Sequence, residues 1–281
     1  MKIIRSVAEL KNFCESEKQA GRSIGLVPTM GALHAGHLSL VNRARKENDT
    51  VVVSVFVNPT QFNNPDDLRT YPRTEETDCA MLESAGVDVA FVPSVDEIYP
   101  EPDTRVFDLG PVAEVMEGKM RPGHFNGVAQ IVSKLFAMTQ PTRAYFGEKD
   151  FQQIAVIRKM VQLEGFGLEL VPCPIQREAD GLALSSRNVR LTSAHRAIAP
   201  KIHEVLAASV DYARNHGIKD TTDMVINAIN GVDGLEVEYY QIVDGPSCLP
   251  IEDWSESQAP VGCVTVYAGD VRLIDNIKYV N

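Results

Sequence analysis

The chain has 281 residues, of which 44% are hydrophobic and 23% are charged, and its formal net charge is −11. This length predicts about two domains and allows a substantial core without disulfides or bound metals. The acidic balance argues against a general nucleic-acid or anionic-membrane binder, although a few cations in one cleft could still attract an anionic small substrate.

Residues 1–175 alternate short apolar runs with helical patterns. Strands are predicted at 24–28, 51–57, 87–92, 144–146 and 168–171, and helices at 37–48, 74–86, 126–139 and 151–164. The run at 51–57 is apolar almost without interruption, which is typical of a strand buried on both faces of a parallel sheet. This alternation predicts an α/β fold with a doubly wound parallel sheet.

The pattern changes after Pro172. An alanine-rich helix is predicted at 191–215 and another at 221–230, followed by β-like runs at 235–243 and 262–267. Consecutive helices followed by strands predict a second, smaller α+β domain. We therefore expect domains at 1–175 and 176–281, with the boundary near 172–185.

The sequence predicts neither a membrane span nor a secretory signal. No apolar run approaches the roughly 18 residues that a transmembrane helix needs, and residues 1–10 become charged too early for a signal peptide. The cysteines are odd in number and scattered, which favours reduced, mostly buried thiols in a cytoplasmic protein over a disulfide scaffold or a zinc finger. They are Cys14, Cys79, Cys173, Cys248 and Cys263.

Polar clusters that contain glycine or small residues follow four of the predicted strands. They lie at residues 28–37, 58–62, 147–153 and 176–188. Ligands of open α/β sheets bind beyond the carboxyl ends of the strands, so these clusters predict one shared site.

Two histidines lie where the first of these loops enters a helix. His34 and His37 flank Gly36, and the start of a helix offers unpaired N–H groups and about half a positive charge to an anion. The imidazoles could donate to phosphate oxygens, but for two histidines alone a capping or surface pair is the favoured explanation, and H-x-x-H can also chelate a metal. Neither a Walker A pattern nor G-x-G-x-x-G occurs, so P-loop and dinucleotide sites lack support.

Three further segments carry polar groups suited to anionic ligands. Lys149 could neutralise phosphate beside Asp150, the 185–187 segment could close over β- and γ-phosphates, and Arg121 offers a fork for a carboxylate or phosphate. The amides that could grip a hydroxyl or carboxylate without adding charge are Asn58, Gln61 and Gln153. Taken singly, each segment is also explained as a turn, a helix start or a buried structural amide.

Taken together, the motifs resemble one enzyme family. The strings V-P-T-M-G-A-L-H-A-G-H, F-V-N-P-T-Q-F, Y-P-R-T, M-R-P-G-H-F-N-G-V, F-G-E-K-D-F-Q-Q and D-G-L-A-L-S-S-R-N span residues 27–188, and R-L-I-D-N follows at 272–276. H-x-G-H alone is shared with many nucleotidyltransferases and class I aminoacyl-tRNA synthetases. The whole set resembles the pantothenate synthetase (pantoate–β-alanine ligase) family.

This resemblance implies a Rossmann-like N-terminal domain, a C-terminal domain that acts as a lid, and a cytoplasmic homodimer. It implies that (R)-pantoate, β-alanine and ATP with Mg²⁺ give pantothenate, AMP and diphosphate through a pantoyl adenylate. No tightly bound organic cofactor, nucleic acid or membrane partner is implied.

The resemblance also assigns roles to individual residues. The implied catalytic residues are His34, His37 (as general acid), Lys149 and Arg187. The implied ATP-binding residues are Met30, Gly31, Ala32, Leu33, His34, Ala35, Gly36, His37, Gly147, Glu148, Lys149, Asp150, Gln176, Leu184, Ser185, Ser186 and Arg187. Gln61, Gln153, Asn58 and Arg121 would bind pantoate or β-alanine, Asp78 is implied as a magnesium ligand, and Tyr71 lies in a segment that resembles a gate.

Two other functions are compatible with the motifs. A nucleotidylyltransferase would release diphosphate but no AMP and would need no amine. A catalytically silent nucleotide-binding dimer would bind ATP without turnover. A fragment of an aminoacyl-tRNA synthetase is disfavoured because the acidic chain shows no basic patch for RNA.

Overall fold

The computed structural model describes residues 1–279, which form two sheets with separate helices. The larger sheet is six-stranded and parallel, with the order β1-β4-β3-β2-β5-β6. Its strands are β1 (Lys2–Ile4), β2 (Ile24–Thr29), β3 (Thr50–Val55), β4 (Val89–Phe91), β5 (Arg143–Gly147) and β6 (Glu169–Cys173). The predicted doubly wound α/β fold is confirmed, and the strand order reverses between β2 and β5, where such sheets bind ligands.

Helices cover both faces of this sheet. They are α1 (Val7–Gln19), α2 (Ala35–Glu47), α3 (Pro65–Thr70), α4 (Glu75–Ser84), α5 (Val95–Ile98), α6 (Glu117–Met120), α7 (His124–Thr139) and α8 (Phe151–Glu164). β3 is buried along its whole length: Val52 packs in the layer with α1, α7 and α8, whereas Val51 and Val53 pack in the layer with α2 and α4. This division explains the unbroken apolar run, because successive side chains of a strand point to opposite faces.

The second sheet has its own helices and its own core. The antiparallel strands β7 (Leu235–Asp244), β8 (Pro260–Ala268) and β9 (Val271–Lys278) pack against α9 (Ser193–Ile198), α10 (Lys201–Ala213) and α11 (Ile218–Asn230). The buried cluster between them begins at Leu182 and ends at Tyr279. The division at 175/176 stays a prediction.

Several predicted boundaries are wrong, two of them for clear physical reasons. The predicted helix at 191–215 is broken between α9 and α10, because Pro200 has no N–H to donate and starts a new helix as the N-cap of α10. The predicted helix at 126–139 begins earlier, at His124, after Gly123 adopts a left-handed φ of 83°. The sequence analysis also did not predict β1, α1 or β9.

All five cysteines of the described chain are unpaired and buried. Burial raises the pKa of each thiol, to about 12 for Cys14 and Cys248. Between residues 1 and 279, no helix has both the length and the apolar character needed to cross a bilayer.

Candidate active site

A cavity of about 220 Å³ opens at the carboxyl ends of β2, β3 and β5, beside the reversal in strand order. All four predicted clusters contribute to its lining. The predicted site residues that line it are Met30, His34, Gly36, His37, Asn58, Gln61, Tyr71, Arg121, Gly147, Lys149, Asp150, Gln153, Gln176, Leu184, Ser185, Ser186 and Arg187. The predicted residues that do not line it are Gly31, Ala32, Leu33, Ala35, Asp78 and Glu148.

Asp78 supports the loop between β2 and α2. Its side chain is 1% exposed, and its carboxylate accepts hydrogen bonds from the backbone N–H groups of Ala32 (2.9 Å) and Leu33 (2.8 Å). Gly31 and Ala32 adopt left-handed φ values of 77° and 49°, a conformation that this bracing stabilises. Asp78 therefore faces the loop and not the cavity, so the implied role as a magnesium ligand finds no support in this geometry.

The two histidines cap the start of α2 and face the cavity. His34 Nδ1 accepts from Gly36 N–H (3.1 Å), and His37 Nδ1 accepts from His34 N–H (3.3 Å). An imidazole that accepts at Nδ1 carries its proton at Nε2, so each ring keeps one N–H for a ligand. A Cβ at position 36 would lie 2.8 Å from the His34 ring, which explains the glycine. The capping interpretation is correct and is compatible with anion binding.

Both imidazoles are neutral in the free protein. Burial, reinforced by nearby Lys149, lowers the pKa of His34 to about 4, and burial beside His34 lowers the pKa of His37 to about 3. The rings are therefore hydrogen-bond donors at neutral pH and not acids. A general-acid role for His37 requires a bound phosphate, whose negative charge would raise this pKa.

A buried amide fixes the side chain of Gln61. Asn58 is 1% exposed, and its Nδ2 donates to Gln61 Oε1 (3.1 Å) and to the carbonyl oxygen of Gly127 (3.1 Å). Tyr99 O–H donates to Asn58 Oδ1 (2.8 Å). Gln61 Nε2 has no hydrogen-bond partner within residues 1–279, so it is a donor available to a carboxylate or hydroxyl in the cavity.

Neighbouring glutamines on α8 have different roles. Gln153 lines the cavity. Gln152 is buried and donates from Nε2 to the carbonyl oxygens of Val112 and Val115, while its Oε1 accepts from Glu117 N–H. Gln152 thus holds the segment that leads to Arg121. The sequence analysis did not distinguish these adjacent amides.

Three cations line the cavity. Arg121 Nη1 lies 3.2 Å from His124 Nε2 and 3.5 Å from Glu117, and Lys149 Nζ lies 3.8 Å from the Asp150 carboxylate. The third cation is Arg187. Among the described residues, Asp150 is the one carboxylate that lines this cavity. The side chains that line the cavity therefore carry more positive than negative charge, although the chain has a net charge of −11.

Two segments meet across the mouth of the cavity. Asp67, on α3, binds Arg187 (2.8 Å) and Arg190 (3.1 Å), and the hydroxyls of Tyr71 and Ser186 lie 3.1 Å apart. The Arg187 guanidinium also lies 5.9 Å from the centre of the Tyr71 ring. These contacts place the predicted gate at Tyr71 against the 185–187 segment, which is predicted to close over the phosphates.

The sequence analysis missed an apolar wall of the cavity. α7 contributes four residues with i, i+3, i+4 and i+7 spacing, the pattern of one helix face. They are Val128, Ile131, Val132 and Leu135. That spacing was visible in the sequence, but it predicts a core face as readily as a substrate-facing one.

Comparisons with known proteins identify the family. Residues 2–278 match the model of the pantoate–β-alanine ligase family. Pantothenate synthetases from Porphyromonas gingivalis and Phocaeicola vulgatus are 61% identical over 279 residues and 58% identical over 280 residues, covering 99% of this chain and 99% of each relative.

Solved structures agree with this match. The crystal structure of pantothenate synthetase from Thermus thermophilus superposes with a TM-score of 0.93 at 45% identity and 100% coverage of both chains. The enzyme from Francisella tularensis, complexed with beta-gamma ATP and β-alanine, gives a TM-score of 0.82 at 40% identity, covering 99% of this chain and 97% of that one. The resemblance stated from the motifs is confirmed: the chain belongs to the pantoate–β-alanine ligase family.

Proposed function

We propose that this ligase condenses (R)-pantoate with β-alanine and cleaves ATP to AMP and diphosphate. The observation that carries the proposal is the cavity itself, where neutral histidine donors, three cations and the amides of Gln61 and Gln153 meet at the carboxyl ends of the sheet. Such a set suits a triphosphate beside a small hydroxy acid. Membership of the family supports the same assignment.

In the first step, the pantoate carboxylate attacks the α-phosphorus of ATP. A new oxygen–phosphorus bond forms, the bond to the β-phosphate oxygen breaks, and diphosphate leaves with that electron pair. Gln61 and Gln153 orient pantoate, while His34 and His37 donate from Nε2 to phosphate oxygens. Lys149, with Arg187, stabilises the charge that develops on the leaving group.

In the second step, the amine of β-alanine attacks the acyl carbon of pantoyl adenylate. The carbon–nitrogen bond forms, the bond to the AMP oxygen breaks, and AMP leaves. The nitrogen loses one proton, which Asp150, the carboxylate that lines the cavity, can accept and pass on to solvent. Because little covalent chemistry falls to the protein, its contribution is orientation and charge stabilisation.

The residues present fit a magnesium ion that arrives with ATP. No group of three or more His, Cys, Asp or Glu side chains that could hold a metal occurs in the part of the chain described. Mg²⁺ often binds through substrate phosphates and water with one or two carboxylates, and Asp150 is the carboxylate that lines the cavity. Chelation with EDTA should stop turnover, and excess MgCl₂ should restore it.

A cytoplasmic homodimer, with domains at 1–175 and 176–281, remains part of the proposal. Five buried, unpaired thiols suit a reducing compartment. The resemblance supports the dimer, which sedimentation equilibrium would test by mass.

The decisive experiment is an assay of AMP and diphosphate from ATP, Mg²⁺ and pantoate, with and without β-alanine. Steady AMP release that requires β-alanine would support the two-step ligase. Diphosphate without AMP in both mixtures would instead support a nucleotidylyltransferase. ATP binding without either product would leave a binding module.

A further inference from the structure

The last strand contacts the three segments that carry the cations of the cavity. β9 contains the R-L-I-D-N string, whose residues have no role in the function described so far. Three of its polar side chains reach the segments that carry Arg121, Lys149 and Arg187. Glu117, Asp275 and Asn276 line a smaller cavity of about 40 Å³ that shares Arg121 and Lys149 with the main one.

Asn276 holds the turn that carries Lys149. Its side chain is buried, and its Nδ2 donates to the carbonyl oxygens of Glu148 (2.7 Å) and Lys149 (3.2 Å). One amide group thus binds two successive carbonyls of the short turn between β5 and α8. Since a buried carbonyl left without a donor is costly, this contact fixes the backbone from which the Lys149 side chain projects.

Asp275 holds the segment that leads to Arg187. Its buried carboxylate accepts two hydrogen bonds from Arg177, at 2.6 and 2.9 Å, a bidentate arrangement. Arg177 Nη1 also donates to the carbonyl oxygen of Gly181 (3.1 Å), and Leu184 N–H donates to Gln176 O (2.9 Å). These bonds fix the hairpin directly before residues 184–187.

Arg272 holds the segment that carries Arg121. It binds both carboxylate oxygens of Glu117, at 2.9 and 2.6 Å, and Tyr239 O–H donates to the same carboxylate (2.9 Å). Glu117 starts α6, which ends directly before Arg121, and its carboxylate lies 3.5 Å from that guanidinium. The Arg272–Glu117 ion pair therefore connects the antiparallel sheet to Arg121.

We propose that Arg272, Asp275 and Asn276 are positioning residues of the ligase, and that β9 sets the relative placement of its three cations. None of the three needs to touch substrate, because each contacts a segment that leads to, or carries, one of the three cations. The placement of the antiparallel sheet consequently controls phosphate binding. This inference rests on the proposed roles of Arg121, Lys149 and Arg187.

A double-mutant cycle tests the inference at Asn276. We expect Asn276→Ala to lower kcat/KM for ATP by about 30-fold and to leave KM for pantoate within about twofold, since a shift near 1 Å costs on the order of 10²-fold. In a Lys149→Ala background, the same change should cost at most about threefold, because the group it positions is gone. Asn230→Ala removes a side chain–backbone hydrogen bond far from the cations, in which exposed Asn230 Oδ1 accepts from Val237 N–H, and should be neutral in both backgrounds.

The outcomes separate this inference from the proposed function. A wild-type protein that forms no AMP would refute the proposed function. An active wild type in which the Asn276 and Lys149 effects simply multiply would overturn the positioning role, as would equal losses for ATP and pantoate. If Asn276→Ala does not fold, Asn276→Ser keeps a short donor and enters the same cycle, where additivity again counts against the inference.

Discussion

A single methyl group at position 127 should damage both stability and pantoate use. Gly127 lies inside α7, where glycine ordinarily costs about 1 kcal/mol relative to alanine, so Gly→Ala would normally stabilise the helix. Here a Cβ would lie 2.3 Å from the carbonyl oxygen of Thr60 and 2.7 Å from the Cα of Gln61. Helix α7 therefore touches the 59–61 turn backbone to backbone, with no room for a side chain.

The magnitude follows from the overlap. Ordinary contact begins at 3.4 Å, so α7 and the turn must separate by about 1 Å. Overpacking of this kind costs roughly 1–3 kcal/mol, and the gain in helix propensity offsets only part of it. Because the displaced turn carries Gln61, we expect kcat/KM for pantoate to fall by about 10²-fold.

Urea unfolding and steady-state AMP formation with varied pantoate measure the two effects. Gly167→Ala is the control for the added methyl group, since Gly167 lies outside any helix, is exposed, has no positive φ and has nothing within 4 Å of the added Cβ. That control should change the unfolding free energy by less than about 0.5 kcal/mol. If Gly127→Ala behaved like the control in both assays, the close approach of α7 to the turn would be refuted.

The structure also predicts whether three further substitutions lower activity or stability. Lys149→Ala should slow pantoate-dependent ATP–diphosphate exchange by about 10²–10³-fold without changing the melting temperature. Glu117→Gln removes one of the two carboxylates that bind half-buried Arg272, with Glu238 left as the other, and should cost about 1–3 kcal/mol in urea unfolding at pH 7. Burial alone would raise the Glu117 pKa, but the Arg272 guanidinium outweighs burial and lowers this pKa to about 2. The wild-type pair therefore stabilises the fold above pH 4.5, and this stabilisation is lost as pH falls towards 2. Burial lowers the pKa of His124 to about 4, so folding favours its neutral form. Stability from this group is complete above pH 6.5 and lost as pH falls to 4. His124→Gln should therefore make the fall of the unfolding free energy over that window shallower, while His34 and His37 still contribute to it.

Exposed residues supply controls for these changes. Lys219→Ala, on α11, should leave exchange unchanged, and Glu204→Gln, whose partner Lys201 is also exposed, should cost less than about 0.5 kcal/mol. A melting temperature that fell with Lys149→Ala would assign that lysine a structural role. An unfolding free energy of His124→Gln that kept the wild-type slope between pH 6.5 and 4 would contradict its buried neutral state.

The sheet was predictable wherever one strand is buried on both faces. The run that forms β3 is apolar at nearly every position. A strand with two apolar faces has to be buried on both sides, as the inner strands of a parallel sheet are. β1 has only three residues, too few for a period to emerge. The break at Pro200 escaped prediction because proline is favourable at a helix start, so it does not by itself show whether a helix ends there or begins.

The site was predictable where residues follow strand ends and unpredictable where side chains act across the chain. His34, Gln61 and Lys149 follow predicted strands, and the topology brings those ends together. Asp78 binds backbone 46 residues away, and Asn276 binds carbonyls 128 residues away. The spacing of residues in the sequence does not predict such pairs, because the two residues meet only when their helices and strands pack in the folded protein.

The buried thiols make this protein a convenient host for a single reporter group. Thiolate is the reactive form of cysteine, and burial with a raised pKa keeps all five native thiols protonated and out of reach of alkylating reagents at neutral pH. Val189 is 81% exposed in the segment that meets α3 across the cavity. A Val189→Cys chain could therefore take one fluorescent maleimide without prior removal of any native cysteine. Its emission would report whether residues 186–190 move when nucleotide is added.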